Sequence, residues 1–276
     1  MTAKILAVFT LFHPDREILL NLINNCLAYS GCDVFLSDNA EFSDFILNNP
    51  RVTYQNNGGN LGLGAAQNKG LRLALEKNYD YAILFDQDSR IEPDFLAKLI
   101  AEFEAAREKD PKIVAAGPSI INPLFVKTRK SRRRHKLPQN RYRKTVIASG
   151  CIIYLPELNA IGLMDEMLFI DYVDTEWCYR VRSKGYQIMR LAHIVMNHTV
   201  GECKKIGWMK LQYHHHGRYY YFFRNGVILF RKKCIPLREL LENRQHIYKI
   251  LFLDHKWDRI KAIFRGLWDG FTIKLC

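Results

Sequence analysis

Asp86-Gln87-Asp88 closes the apolar run Tyr81–Phe85, and two carboxylates one residue apart at a strand end are arranged for chemistry. In an extended chain residues i and i+2 point to the same side, so both acids address one point and repel unless a cation lies between them. A hard divalent ion, Mg²⁺ or Mn²⁺, suits such a pair and completes its shell with substrate phosphate oxygens. There it assists a phosphate leaving group as a Lewis acid. An Asp-rich turn that merely ends a strand has the same local sequence, so the pair needs partners elsewhere in the chain.

Candidates for those partners recur along the sequence. Asp38-Asn39 follows the β-rich Val34–Ser37. Asn57–Gly70 is rich in glycine and opens onto the helical Ala65–Lys77, whose N-terminus can face an anion. It lacks the Gly-Lys-Ser/Thr of a P-loop, and Gln67 stands where a dinucleotide fingerprint has its third glycine. A tight strand-to-helix turn accounts for it equally well. Phe169–Arg180 brings together Asp171, Asp174 and Glu176. A carboxylate in a semi-apolar setting can have its pKa raised toward neutrality and accept a proton from an attacking hydroxyl. Acidic residues on a first helical turn also meet the helix dipole favourably, the preferred reading for Asp171, while Glu176 stays open between the two. His198, after Ile188–Val195, is either a metal or phosphate partner or a structural histidine. The run His214-His215-His216 is not a metal cluster, because consecutive side chains diverge.

These residues must be positioned by the elements between them. Ile5–Phe12, Val34–Ser37, Val52–Gln55, Tyr81–Phe85 and Ile113–Pro118 read as strands, and Arg16–Tyr29, Glu41–Asn48, Leu63–Lys77 and Pro93–Lys109 as helices. Such alternation predicts an α/β fold, a mostly parallel central sheet flanked by helices, with ligands beyond the carboxyl ends of its strands. Asp38 and the Asp86–Asp88 pair fall at those ends. Lys127–Lys144 is a basic loop; Val146–Leu155 is strand-like but broken by Ser149-Gly150; Asp171–Lys184 is a helix with an acidic start.

The bulk numbers bound the answer. The chain has 276 residues, ordinary globular composition and a net charge of +13, which favours polyanions, anionic membranes or phosphorylated substrates. Its 7 cysteines are scattered without Cys-x-x-Cys spacing, which fits buried thiols in a reducing compartment. Met1–Phe9 reads as a first strand rather than a signal peptide, and no apolar run is long enough to span a membrane. The carboxylates at 86, 88 and 171–176 argue against nucleic acid, since they repel phosphate unless metal intervenes.

In this order and at these separations the motifs resemble glycosyltransferase family 2, of the GT-A fold, and within it the bacterial rhamnosyltransferases. The resemblance runs from Phe9–Asp15 through Asp38-Asn39, Asn57–Gly70, Asp86-Gln87-Asp88 and Phe169–Arg180 to Arg218–Asn225. It departs from the family in Thr10-Leu11-Phe12-His13-Pro14, where Thr-Tyr-Asn-Pro is usual, and in Val173-Asp174, where Glu-Asp is commoner. The resemblance implies an inverting transfer from a nucleotide sugar, dTDP-L-rhamnose by subgroup, to a lipid-linked or cell-surface polysaccharide acceptor. A UDP-hexose or galactofuranose donor is the alternative, and a non-catalytic polyanion-binding protein the more distant one. It further implies that Asp174 is the catalytic base and that Asp86 and Asp88 hold the metal with His198. By the same resemblance Thr10, Asp38, Asn60, Gly62, Asn68 and Asp86 line the donor nucleotide, and Glu176, Trp177, Arg218 and Arg224 are acceptor or phosphate contacts.

The expected division is a catalytic domain over 1–225 and a C-terminal amphipathic, basic helical extension over 226–276. In that extension Trp257, Ile260, Ile263, Phe264, Leu267, Trp268 and Phe271 recur at helical spacing among Lys256, Arg259, Lys261 and Arg265. Such a helix suits either the membrane interface or packing against the domain, and Gly266 and Gly270 weaken it. With the basic loop, it predicts a cytoplasmic protein bound peripherally at the inner membrane.

Overall fold

The structure is a computed structural model that describes residues 3–42, 45, 47–121, 139–197, 202–206 and 209–275. Strands β1 (Ile5–Leu11), β2 (Cys32–Asp38), β3 (Val52–Asn56), β4 (Tyr81–Asp86) and β5 (Ile113–Ile121) alternate with helices α1 (Arg16–Leu27), α2 (Leu63–Glu76) and α3 (Phe95–Lys109). There follow β6 (Arg141–Tyr142), β7 (Cys151–Tyr154), the single turn α4 (Leu158–Ile161), α5 (Val173–Ser183) and β8 (Gln187–Asn197). A hairpin of β9 (Glu202–Ile206) and β10 (Met209–Tyr213) leads to α6 (Arg218–Arg231), α7 (Leu237–Glu242), α8 (Arg244–Ile250) and α9 (Lys256–Thr272).

An 8-stranded sheet has the order β3-β2-β1-β4-β7-β5-β8-β6. Its strands run parallel except β7, which opposes both β4 and β5, and the short edge strand β6, which opposes β8. β1 shows why both faces are apolar. Ile5, Ala7, Phe9 and Leu11 enter the core shared with α1 and α3, whereas Leu6 and Val8 enter the core shared with α2 and α5. Strands buried on both sides read as continuous apolar runs rather than as alternation.

The described residues between β2 and β3 form no helix, so the expectation of one over Glu41–Asn48 is not met there. α5 starts at Val173 rather than Asp171, because Phe169, Asp171 and Tyr172 hold positive φ of 63°, 63° and 64°. The expected domain boundary falls inside α6, whose one face meets the central domain and whose other receives α9. A Cβ at Gly266 would collide with the Tyr220 carbonyl, and one at Gly270 would lie 2.8 Å from the Arg224 carbonyl. The two glycines thus let α9 lie directly on α6. Cys26, Cys32, Cys151 and Cys178 are buried free thiols.

Candidate active site

The parallel register assembles the site's first layer. Leu11 pairs with Asp38, and Thr10 pairs with Asp86, so the carboxyl ends of β2, β1 and β4 stand side by side. Asp38 is buried and accepts from the Ala40 N–H at 2.9 Å and the Tyr54 hydroxyl at 2.9 Å. It also lines a cavity of about 280 Å³ with His13, Pro14, Arg16 and Phe42. The Thr10 Oγ1 is buried without a hydrogen-bond partner, a polar atom left for a ligand to meet.

Asp86 is the last residue of β4, but the chain turns at once: its carbonyl accepts from the Ser89 N–H at 3.1 Å. Asp88 therefore stands exposed on a turn, and strand alternation is not what relates the two acids. The turn is held from below by Ser149, whose hydroxyl bonds Ser89 and accepts from the Asp86 N–H at 3.4 Å. From above, Gln87 exchanges hydrogen bonds with the Phe12 backbone at 2.6 and 3.0 Å. Among the described residues no group of three His, Cys, Asp or Glu converges on one point, and His198 lies outside them. The donor set nonetheless fits a hard divalent cation. Two carboxylates share one turn, and the charge of Asp86 is felt by both Asp174 and Arg218.

Asp174 sits on the first turn of α5, partly buried. Burial pushes its carboxyl up to about 6; the Thr175 N–H, 2.7 Å away, pulls against that, and the negative charge of Asp86 adds to it. A further pull comes from the Ala148 N–H. This is a carboxylate ionised at neutral pH yet basic enough to take a proton.

What delivers Asp174 is a strained loop and the helix that clamps it. Positive φ at three non-glycine residues in a span of four costs on the order of 1–3 kcal/mol each and persists only where surroundings impose it. The imposition comes from α6. The buried Asn225 amide donates to the carbonyls of Leu168, Ile170 and Asp171 at 2.7, 2.8 and 2.9 Å. Arg224 donates to Met167 and Leu168, and Arg218 grips Asp171 through two bonds of 2.9 and 2.8 Å. Burial works against the Arg218 charge, but the Asp171 bonds and the fields of Asp171, Asp86 and Asp174 outweigh it and raise its pKa. On the opposite side the α2 N-terminus abuts the loop: a Cβ at Gly62, whose φ is 88°, would lie 2.7 Å from the Phe169 carbonyl. Asn60 closes this turn by accepting from the Gly62 N–H at 3.0 Å.

Several sequence expectations are redirected by these contacts. Asn68 is buried and spends its amide on Met164 and Glu166, so it has no donor left for a nucleotide. Glu176 is buried and paired with Arg180 at 3.0 and 2.8 Å, and Trp177 is buried with its indole N–H on the Gly162 carbonyl. Both spend their polar groups on anchoring α5. Arg224 is a loop clamp stacked on Tyr220 and Tyr221. Asp171, read as a helix-dipole residue, is instead the partner of Arg218. Ser149 and Asn225 carry functions that the pattern did not reveal. Their signals were a Ser-Gly break within an apolar strand and a lone amide amid the aromatic residues of α6.

The profile described as glycosyl transferase family 2 matches residues 16–155. The chain is 33% identical over 262 residues to dTDP-rhamnosyl transferase RfbF of Shigella flexneri, covering 91% of this chain and 87% of that one. Among solved structures, GalNAc-T7 with UDP, GalNAc and Mn²⁺ aligns at a TM-score of 0.59 and 16% identity, over 83% of this chain and 48%, about half, of that one. The mannosyltransferase PcManGT from Pyrobaculum calidifontis, in complex with GDP-Man and Mn²⁺, aligns at 0.56 and 14% identity, over 100% of this chain and 77% of that one. At such identities the structural likeness is one of fold, the GT-A fold.

Proposed function

The chain belongs to glycosyltransferase family 2, and from that premise we propose an inverting, metal-dependent transfer of L-rhamnose from dTDP-L-rhamnose to a lipid-linked or cell-surface polysaccharide acceptor. The observation that carries the mechanism is a carboxyl raised to about 6, Asp174, within the electrostatic reach of Asp86 at the end of β4. Asp174 takes the proton of an acceptor hydroxyl, whose oxygen attacks the anomeric carbon. The bond from that carbon to the phosphate oxygen breaks on the opposite side, and the nucleoside diphosphate leaves with the electron pair. Asp86 and Asp88 would hold Mg²⁺ or Mn²⁺, which when bound neutralises charge on the departing diphosphate. Arg218, paired with Asp171, holds the loop that delivers Asp174, and Thr10 and the cavity beside Asp38 receive the nucleoside. The rhamnosyl donor is supported by the similarity to the Shigella enzyme.

A thermal-shift panel of dTDP-, UDP- and GDP-sugars with and without Mn²⁺ tests the donor. Stabilisation by dTDP-rhamnose, and only with metal present, is expected. Stabilisation by a UDP-sugar instead, such as a UDP-hexose or UDP-galactofuranose, would replace the donor while keeping the reaction class.

The same reading places the enzyme at the cytoplasmic face of the inner membrane, with α9 as its contact. No helix among the described residues is long and apolar enough to cross a bilayer. α9 buries Ile263, Gly266 and Gly270 against α6, yet Trp257, Phe264, Trp268 and Phe271 are 75%, 69%, 71% and 58% exposed. At 100° per residue these four share one narrow stripe, bordered along one edge by exposed Lys261 and Arg265. Aromatics beside cations suit an anionic interface. Full-length protein should float with phosphatidylglycerol vesicles and the W257S/W268S variant should not; equal flotation would remove α9 from the contact.

A further inference from the structure

A second cavity, of about 310 Å³, lies at the other end of the sheet from the Asp38 cavity, walled by Gly117, Pro118, Arg143, Thr145, Val146 and Arg190. Cations dominate it. Arg141 stands opposite Arg190 in the β6–β8 register, and Arg143 follows one residue beyond Tyr142. No ion pair joins Arg141, Arg143 or Arg190 to a carboxylate among the described residues. The Arg190 Nε is buried and without a hydrogen-bond partner. Burial, then Arg143, then Arg141, hold the Arg190 guanidinium below its ordinary range. A buried donor without an acceptor, beside two like charges, is costly to the fold unless something anionic fills the space. Arginine's planar fork matches phosphate oxygens in pairs.

The position of this cavity relates it to the reaction. Thr145–Ile147 form its wall, and the next two residues reach the catalytic centre: the Ala148 N–H steadies Asp174, and the Ser149 hydroxyl meets the Asp86 N–H. The Val146 carbonyl also accepts from the Cys178 thiol on α5, the helix that carries Asp174. Along the sheet, the Asp38 cavity belongs to the β2–β1 side, Asp86 to β4, and the arginine cavity to β5–β8. An in-line displacement brings the nucleophile from the side opposite the leaving group, and the strand order puts this cavity across β4 from the Asp38 cavity.

We infer that the arginine cavity is the anion subsite of the acceptor: Arg143 and Arg190, with Arg141 at its edge, bind a phosphate or diphosphate group on the saccharide and thereby set its hydroxyl at Asp174. The inference rests on the reading of Asp174 as base. The phosphate can come from a polyprenyl-type lipid carrier or from a soluble sugar phosphate, and both present the same oxygens.

The test uses full-length protein with the donor site saturated by dTDP and Mn²⁺, titrated with inorganic pyrophosphate by calorimetry. Wild type should bind, and R190Q and R143Q should each weaken binding about tenfold or more, as expected for loss of charge-assisted hydrogen bonds. R190K, which keeps the charge without the fork, should fall between. R190Q removes a guanidinium whose Nε is enclosed without a partner, so its Tm without ligand should not drop. Equal pyrophosphate affinity in wild type and R143Q/R190Q overturns the subsite. Phosphatidylcholine vesicles doped with farnesyl diphosphate separate the sources. Capture that R190Q abolishes supports a lipid-linked acceptor, and binding of free pyrophosphate without capture supports a soluble one. Metal-dependent hydrolysis of the nucleotide sugar by wild type tests the transferase reading separately: its absence would sink that reading whatever the pyrophosphate result.

Discussion

Asp174→Asn should lower the turnover of sugar transfer by about 10²–10⁴, the range that a positioned general base contributes, while metal-dependent binding of the donor nucleotide persists. Asparagine keeps the size of the carboxylate, and its amide oxygen can still accept from the Thr175 N–H, so the first turn of α5 stays formed. What is lost is the capacity to take a proton, together with the negative charge that the Thr175 and Ala148 N–H groups meet. The pH dependence carries the same signature. With the Asp174 carboxyl at about 6, wild-type kcat/KM should fall as pH drops through that value, whereas the residual rate of the variant should show no such limb. Burial, the largest cause, is insensitive to metal; a cation at Asp86 would relieve only the smaller contribution of that neighbour and move the limb somewhat lower. Stability should change in the opposite direction from activity. The native pKa lies above the unfolded value of about 4, so ionisation destabilises the native state as pH rises from about 4 to about 6. At pH 7 the variant should therefore melt higher than wild type, and the gap should close below about pH 4. A variant as active as wild type, or one that melts lower and fails to bind nucleotide, would contradict the assignment.

The elements that carry Asp38 and Asp86 were legible because a strand buried on both faces writes itself as an apolar run ending in polar residues. Direction is not written in such a run. Cys151–Tyr154 is as apolar as any parallel strand, and its reversal between β4 and β5 becomes visible only in the pairing. The same limit applies to α9. Its sequence shows apolar residues around much more than one face, and nothing in their spacing says which of them meets α6. Gly266 and Gly270 decide it, by permitting the close approach that turns Ile263 inward and leaves Trp257 and Trp268 outside. Asp174 was placed by motif, but its environment was not. The positive φ angles of Phe169, Asp171 and Tyr172 depend on an asparagine more than fifty residues downstream. A bond at such separation has no local pattern, and an isolated amide within a helix reads as a solvated surface residue until its burial is known. Arg190 is the converse case. A single charged residue in an apolar strand gives no signal of a site, and its enclosed, unpartnered Nε is visible only in the structure.

Replacing Asp86 should be nearly as damaging as replacing Asp174, by a separable route. Asp86→Asn keeps the side-chain size and the β4 register with Thr10, and the backbone N–H can still meet the Ser149 hydroxyl. It removes a hard anionic oxygen from the turn that addresses the diphosphate. Lewis-acid stabilisation of a leaving phosphate contributes several kcal/mol, so a loss of roughly 10²–10³ in kcat/KM is expected. The loss should respond to Mn²⁺: Asp88 remains, so raising the ion concentration should recover part of the rate, with the half-saturating concentration displaced upward. The stabilisation of the protein by dTDP-rhamnose with metal should shrink in parallel. Asp174→Asn should show neither effect, since no concentration of cation replaces a proton acceptor. Asp86 also raises the Asp174 carboxyl, so its removal should lower the pH at which the residual rate falls off. The two variants thus divide the site into a part that binds the leaving group and a part that activates the nucleophile. An unchanged Mn²⁺ requirement in Asp86→Asn would mean that the cation is held elsewhere, and the reading of the Asp86–Asp88 turn as the leaving-group site would fall with it.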